Sequence, residues 1–415
     1  KLCFLKKLMS YKIIHFSESD IGGGSAFYAY RLHKYLNKIK KINSKMFVLK
    51  KNINDKSIKK FSNEHDLRYL KYLYFFFLSN KNRYSFYNYG KYLIKENSQL
   101  KELLSEKPDA VIVYNNSNLI HPKILNYLTK QKIRLIFYPM DMELITGGCH
   151  YNFECNGYKK NCKPCPAVNL FLNTNPSKNL IEKKKYFNDI KITFLSATRQ
   201  IFKDISKSTL FNNKKHKNLI LNLGLDLKFY KPIKKIKKNK ITISLRSSLN
   251  PRKGNSILIE ALNYICSRNG EINKKLSFNI IGDSSLLECL IKNNFEYNFQ
   301  SIIKNEKELI KFYQNSDFFL NQSIQDAGPV MVNEALACGV PVISFKTGIS
   351  NDVIRNNFNG YLVSDFSKKK LGDKITEISK INLKHLKEMK KNSRKTAIKN
   401  FDINEKIKDI LKIIK

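Results

Sequence analysis

Short apolar runs alternate with polar loops and amphipathic stretches along most of the chain. Lys12 to Phe16 (KIIHF) predicts a first strand, and SESDIGGG leads from it into an amphipathic helix, AFYAYRLHKYLNK. SKMFVLKKN predicts a second strand. PDAVIVYNNSN reads as a buried strand ending in a polar loop, followed by a helix from His121 and a further strand, IRLIFYP. ITISLRSSLNPRKGNSILIEALNYI gives strand, polar loop and helix again, and LSFNIIGDSS another strand and turn. Strands alternating with helices predict βαβ units and parallel sheets.

The most informative stretch is Asn321 to Gly348, NQSIQDAGPVMVNEALACGVPVISFKTG. Phe318, Phe319 and Leu320 lead in, Pro329 opens a short helix, Gly339 closes it, and VPVISF follows as a second buried strand. Proline just inside a helix start and glycine just past its end are the expected punctuation. Ligands of such units sit at the carboxyl ends of the strands, where Asp326 and Gly328 fall. The first helical turn, at Val330, Met331 and Val332, presents backbone N–H groups and partial positive charge, which suits a diphosphate without a metal. Glu334, about one turn further on, has the chemistry to accept hydrogen bonds from both hydroxyls of a ribose, and Asp326 to hold a hydroxyl of a sugar. The competing reading is a surface glutamate on a helix with an aspartate capping it.

This stretch resembles the donor loop of retaining glycosyltransferases of family 4, which carry Glu, seven residues, Glu. Asp326 stands at the first position, one methylene shorter, and Glu334 at the second. The resemblance implies an α/β chain of the GT-B class, two Rossmann-like domains facing across a cleft, with a nucleotide-diphosphate sugar as donor. Gly22, Gly23 and Gly24 resemble the amino-terminal glycine loop of that class, facing the donor phosphates or the acceptor; a plain tight turn is the alternative. Arg246 at a strand end and Lys253 before Gly254 match the basic pair that holds donor phosphates, placed to neutralise charge on a leaving diphosphate. KITFLSATRQIFKDISKS resembles the last strand and helix of the first domain, and NLILNLGLDLKFYKP the crossover, with Asn222, Gly224, Asp226 and Pro232 as its turn residues. The implied domains are 9–225 for the acceptor side, 226–395 for the donor side, and a terminal helix, 396–415, returning to the first.

A second distinctive stretch, MDMELITGGCHYNFECNGYKKNCKPCP, holds Cys149, Cys155, Cys162 and Cys165. A cluster closing in CxxC suits tetrahedral zinc in a structural role, with free or redox-active thiols as the alternative. It resembles a cysteine-containing subgroup of the family that assembles bacterial surface polysaccharide and lipopolysaccharide. There a His-Asp pair often precedes TGGCHY; here Met140 replaces the His and Asp141 is kept. His150 reads as a structural histidine sooner than as a substitute.

Composition changes this picture little. An apolar share of 42% in 415 residues fits two globular domains. The net charge of +42 would point to nucleic acid, but only ten of the 76 basic residues are Arg, and the lysines are scattered through nearly every segment. A nucleic-acid footprint is a clustered, Arg-richer stripe, so no specific nucleic acid is expected. A basic surface is still attracted to anionic lipid, which makes peripheral attachment at the inner face of the plasma membrane an expectation. The aromatic and basic stretch from Phe61 to Leu104 reads as core packing before membrane-interface helices. KLCFLKKLM lacks a secretory h-region, Met9 reads as a natural start, and a cytoplasmic protein is expected.

No DxD triplet occurs, which disfavours a metal-held donor, and no catalytic cofactor is expected. The reading is thus a retaining, metal-independent transferase moving a sugar from a UDP- or GDP-sugar to a glycan or lipid-linked acceptor. A nucleotide-sugar epimerase or phosphorylase, a donor-binding relative without transfer, and a basic membrane- or nucleic-acid-binding protein are the rivals.

Overall fold

The computed structural model describes residues 11–61, 96–114, 119–168, 175–211, 215–233, 239–301, 303 and 305–414. The first eight residues, most of the aromatic and basic stretch and most of the KKIKKNK linker lie outside them. The chain divides into two compact units, Lys1–Leu221 with Ile407–Lys415, and Asn222–Lys406.

The first unit follows the alternation of the sequence. Its elements are β1 (Tyr11–Ser19), α1 (Gly24–Asn37), β2 (Ile42–Lys50), β3 (Ile58–Lys60), α2 (Glu96–Ser105), β4 (Ala110–Val113), α3 (Pro122–Lys130), β5 (Arg134–Phe137), α4 (Asn175–Phe187), β6 (Ile192–Ser196), α5 (Arg199–Lys207) and β7 (Lys217–Ile220). The strands form one parallel sheet in the order β3-β2-β1-β4-β5-β6-β7. His121 caps α3 by accepting from Lys123 N–H, with Pro122 at the first helical position.

The second unit is built the same way: β8 (Ile241–Ser247), α6 (Asn255–Arg268), β9 (Leu276–Gly282), α7 (Leu287–Lys292), β10 (Glu296–Gln300), α8 (Glu306–Gln314), β11 (Phe318–Asn321), α9 (Val330–Ala337), β12 (Val342–Phe345), α10 (Gly348–Val353), β13 (Gly360–Val363), α11 (Lys368–Ile378) and α12 (Leu383–Phe401). Its sheet is parallel in the order β10-β9-β8-β11-β12-β13. Because side chains alternate along a strand, Phe318 and Leu320 enter a core with α6 and α11, while Phe319 enters the opposite one with α8, α9 and α12. A sheet buried on both faces explains why its strands read as continuous apolar runs. A last helix, α13 (Ile403–Ile414), begins in the second unit and ends among residues that cluster with the first.

In both sheets the chain leaves the first strand to one side and then returns to its other side, between β1 and β4 and between β8 and β11. Such switch points open a crevice at the carboxyl ends of the strands.

Candidate active site

The loops after β8 and after β11 flank the switch point of the second unit and are locked together. Ile324 N–H donates to Arg252 O (2.9 Å), and the Arg252 guanidinium returns a bond to Gln325 O (3.2 Å). Gly254 has a positive φ of 72°, and a Cβ there would lie 2.0 Å from Gln322 O, so only glycine lets the loops meet. Beneath them Gln322 bridges Arg246 O and Asn255 Oδ1, and Asn255 in turn reaches Ser247 and Ser285. Asp283 accepts from the Ser247 and Ser285 hydroxyls.

This frame gathers charge. Lys253 Nζ lies 2.5 Å and Arg252 Nη1 3.3 Å from Asp326 Oδ2, while Gly328 N–H donates to Asp326 Oδ1 (3.2 Å). Burial by itself would raise the Asp326 carboxyl, but Lys253 and then Arg252 hold it below its ordinary value. Burial pulls the Lys253 ammonium down; Asp326 opposes this, while Arg252 and Arg246 reinforce it. Two cations thus pair with one carboxylate, and Arg246 nearby adds to the excess of positive charge at the carboxyl end of β8. Asp326, the expected partner of a sugar hydroxyl, is paired here with Lys253 and Arg252. Arg252, which the sequence reading passed over, belongs to the cluster, and Arg246 is exposed beside it.

The punctuation of α9 agrees with the sequence. Pro329 is its N-cap without a side-chain bond, and Gly339 follows it at φ 72°. Val330 and Met331 N–H make no hydrogen bond among the described residues. The N–H of Val332, counted among the free donors, is spent on Pro329 O (3.0 Å). Gly348 presses on this loop, where a Cβ would meet Asp326 O at 2.8 Å.

Glu334 is buried within α9, as a surface glutamate would not be, and is gripped by phenols. Tyr313 donates to its Oε2 (2.7 Å), and the Tyr230 hydroxyl lies 3.5 Å from Oε1 while donating to Glu306 Oε1 (2.9 Å). Burial, and then the Glu334 charge, push the Tyr313 phenol far above its usual range, so it stays a proton donor. Neither tyrosine was a candidate from sequence.

Gly22, Gly23 and Gly24 lie at the carboxyl end of β1, in the other unit. Gly22 has φ 114°, and Gly23 caps α1 without a side-chain bond. No atom lies within 4 Å of a Cβ at Gly23, so open space surrounds it. Asp20 fixes the loop by accepting from Ile21, Asn52 and Ile53 N–H.

The cysteine stretch is organised by packing. A Cβ at Gly147 would strike Pro176 O at 2.3 Å, and Asn179 donates to Gly147 O. Lys183, 1% exposed, donates to Thr146 O (2.9 Å) and pairs with the equally buried Glu143 (3.3 Å). Burial lowers the Lys183 pKa, opposed by Glu143. The four thiols lie close enough to interact, and Cys155 Sγ accepts from Gly157 N–H (3.4 Å). Burial raises the thiols of Cys149 and Cys165, and that of Cys162 to about 11. Among the described residues no group of three or more His, Cys, Asp or Glu is arranged to hold a metal ion. Cys149, Cys155, Cys162 and Cys165, expected from the sequence to hold zinc, are free thiols here. His150 pairs with Asp141, which also accepts from Glu143 N–H, a structural role.

A family profile described as "Glycosyl transferases group 1" matches residues 226–396, which hold the whole charged cluster. The second unit carries a group 1 glycosyl transferase domain. An Escherichia coli UDP-Gal:alpha-D-GlcNAc-diphosphoundecaprenol alpha-1,3-galactosyltransferase is 26% identical over 196 residues, 42% of this chain and 46% of that protein. The chain spans under half the length of the curated relatives it matches. Whole-chain likeness comes from solved structures. A glycosyltransferase from Rickettsia africae aligns with a TM-score of 0.66 at 16% identity, covering 98% of both chains. Anabaena HepE in complex with UDP-glucose aligns at 0.64 and 13%, covering 97% of this chain and 99% of that one. These likenesses give the fold: two Rossmann-like domains of the GT-B class, the group 1 domain being the second.

Proposed function

We propose that the chain is a retaining glycosyltransferase of bacterial surface polysaccharide or lipopolysaccharide assembly. It moves a hexose from a UDP- or GDP-sugar to a glycan or lipid-linked acceptor. The observation that carries this is the surplus of positive charge from Arg246, Arg252 and Lys253 over Asp326, at the switch point and beside the open N-terminus of α9. A donor diphosphate neutralises that surplus, and Glu334, held in place by Tyr313, accepts from the ribose hydroxyls. UDP complexes of proteins with this fold support the donor class.

In this reaction the bond from the sugar's anomeric carbon to the diphosphate breaks, and a bond to the acceptor oxygen forms on the same face. The acceptor's proton passes to the departing diphosphate, so no separate base is needed. Arg252 and Lys253 stabilise the charge growing on the leaving group, together with the first N–H groups of α9. This arrangement performs the work without a metal or other cofactor. The acceptor class rests on the undecaprenyl-linked substrate named for the Escherichia coli relative. With it goes attachment to the inner membrane face through the basic surface; among the described residues no helix is long and apolar enough to cross a membrane.

Incubating the purified chain with UDP- and GDP-hexoses and a bacterial lipid extract tests the proposal. Release of nucleotide that depends on the extract, with the anomeric configuration kept in the product, is expected. Untouched donors together with no binding of UDP or GDP would sink it. Turnover without an acceptor would instead favour an epimerase or phosphorylase.

A further inference from the structure

A cavity of about 740 Å³ opens at the amino end of the second unit's sheet, beside Ile241 at the start of β8 and Val340 ahead of β12. The charged cluster lies at the opposite end of the same strands, about 20 Å away along β8. The two sites are therefore distinct.

The cavity's charge is not the general basicity of the chain. Its one acid, Asp317, is neutralised by Lys390 (2.8 Å). Arg394 is consumed as a clamp, donating to Leu227 O, Tyr230 O and Ala337 O, and Lys240 pairs with Glu296 (2.9 Å). What remains is Lys387, Lys391 and Lys395, exposed and spaced four apart along the α12 wall, with no ion pair among the described residues. Glu388, the only acid in α12, pairs with none of them. Like charges four apart weaken a helix, and an anion between them reverses that cost. Leu386, Ile241 and Val340 supply apolar lining beside them, with Gln314 and Ser316 as its uncharged polar members.

The geometry points to a second ligand site, for a phosphate ester with an apolar flank, seated on Ile241 and Leu386 with its phosphate on Lys387, Lys391 and Lys395. Three flexible ammonium groups suit a compact phosphate group, whereas the planar fork of the one arginine here is already occupied. The volume is that of a small-molecule pocket. Two sources share this chemistry, the headgroup of an anionic phospholipid and a soluble phosphate ester.

The test uses the full chain with two probes, phosphatidylglycerol vesicles (against phosphatidylcholine) and glycerol 3-phosphate in solution. Lys387→Gln/Lys391→Gln/Lys395→Gln is compared with Lys292→Gln/Lys307→Gln/Lys369→Gln, which removes the same charge from exposed positions outside the cavity, and thermal melting checks that both fold. The cavity variant is expected to lose on the order of a hundredfold in affinity for a probe, each lysine beside a phosphate being worth roughly fivefold, while the control loses less than about fivefold. Loss confined to vesicles identifies the lipid headgroup; loss for glycerol 3-phosphate as well identifies a soluble ester. Equal losses in the two variants, or no binding of either probe by the unmodified chain, overturns the proposal.

Discussion

Two ion-pair clusters, one in each unit, use the same chemistry to opposite ends. In the first unit Lys183 and Glu143 are each 1% exposed, and the ammonium has further acceptors in the backbone of the TGG loop. In the second, Asp326 is outnumbered by Lys253, Arg252 and Arg246, and the cluster borders an open helix N-terminus. A pair that satisfies itself holds a loop in place. A cluster with charge left over is built to receive an ion of the opposite sign.

The comparison breaks first at Lys183. Lys183→Met leaves Glu143 buried without its cation and is expected to cost about 3–5 kcal/mol of first-unit stability, read in urea denaturation. UDP affinity, measured under conditions where the variant is folded, should stay unchanged. Lys253→Met or Arg252→Met is expected to do the reverse. Each weakens UDP binding by roughly ten- to a hundredfold in calorimetry, the worth of a hydrogen bond to a charged group, with a smaller loss of stability than Lys183→Met. If Lys253→Met unfolded the chain and left the binding of the folded fraction intact, the functional reading of that cluster would fall.

Tyr313→Phe sharpens the contrast on a smaller scale. The substitution keeps the ring in its core and removes the 2.7 Å bond to Glu334. UDP binding should weaken by about fivefold. Binding of 2′-deoxy-UDP should move less, so the preference for the ribose hydroxyl shrinks; a merely structural tyrosine would weaken both nucleotides equally.

The smallest effect near neutrality is in pH. His33 and His216, both in the first unit, are pushed by burial down to about 4, and His15 is lowered further from its usual range by burial and then by His33. Each is neutral when folded, so between about 6.5 and about 4 the unfolded chain binds more protons, and stability falls as pH falls through that window. Asp326 has the opposite dependence on its partners: its depressed pKa adds stability above the unfolded carboxyl value, lost only as pH drops through the lower folded value. Acid is therefore expected to loosen the first unit before the second. Hydrogen exchange at pH 5 showing the second unit opening first would contradict this.

The strands and the α9 punctuation were legible because they are local: Pro329, Gly339 and the apolar runs act within a few residues of chain, where side-chain period and backbone preference suffice. The interval from Asp326 to Glu334 was legible for the same reason, and the resemblance it carried led to the two-domain frame. The partners of those residues were not. Arg252 meets Asp326 across 74 positions, Tyr230 approaches Glu334 across 104, and Lys183 reaches Glu143 across 40. The register of parallel strands and the packing of loops set those distances, and no periodicity encodes them. Sequence decided which groups this chain possesses. The tertiary structure decided which charges cancel and which are left over, because electrostatic pairing depends on separation in space and on burial.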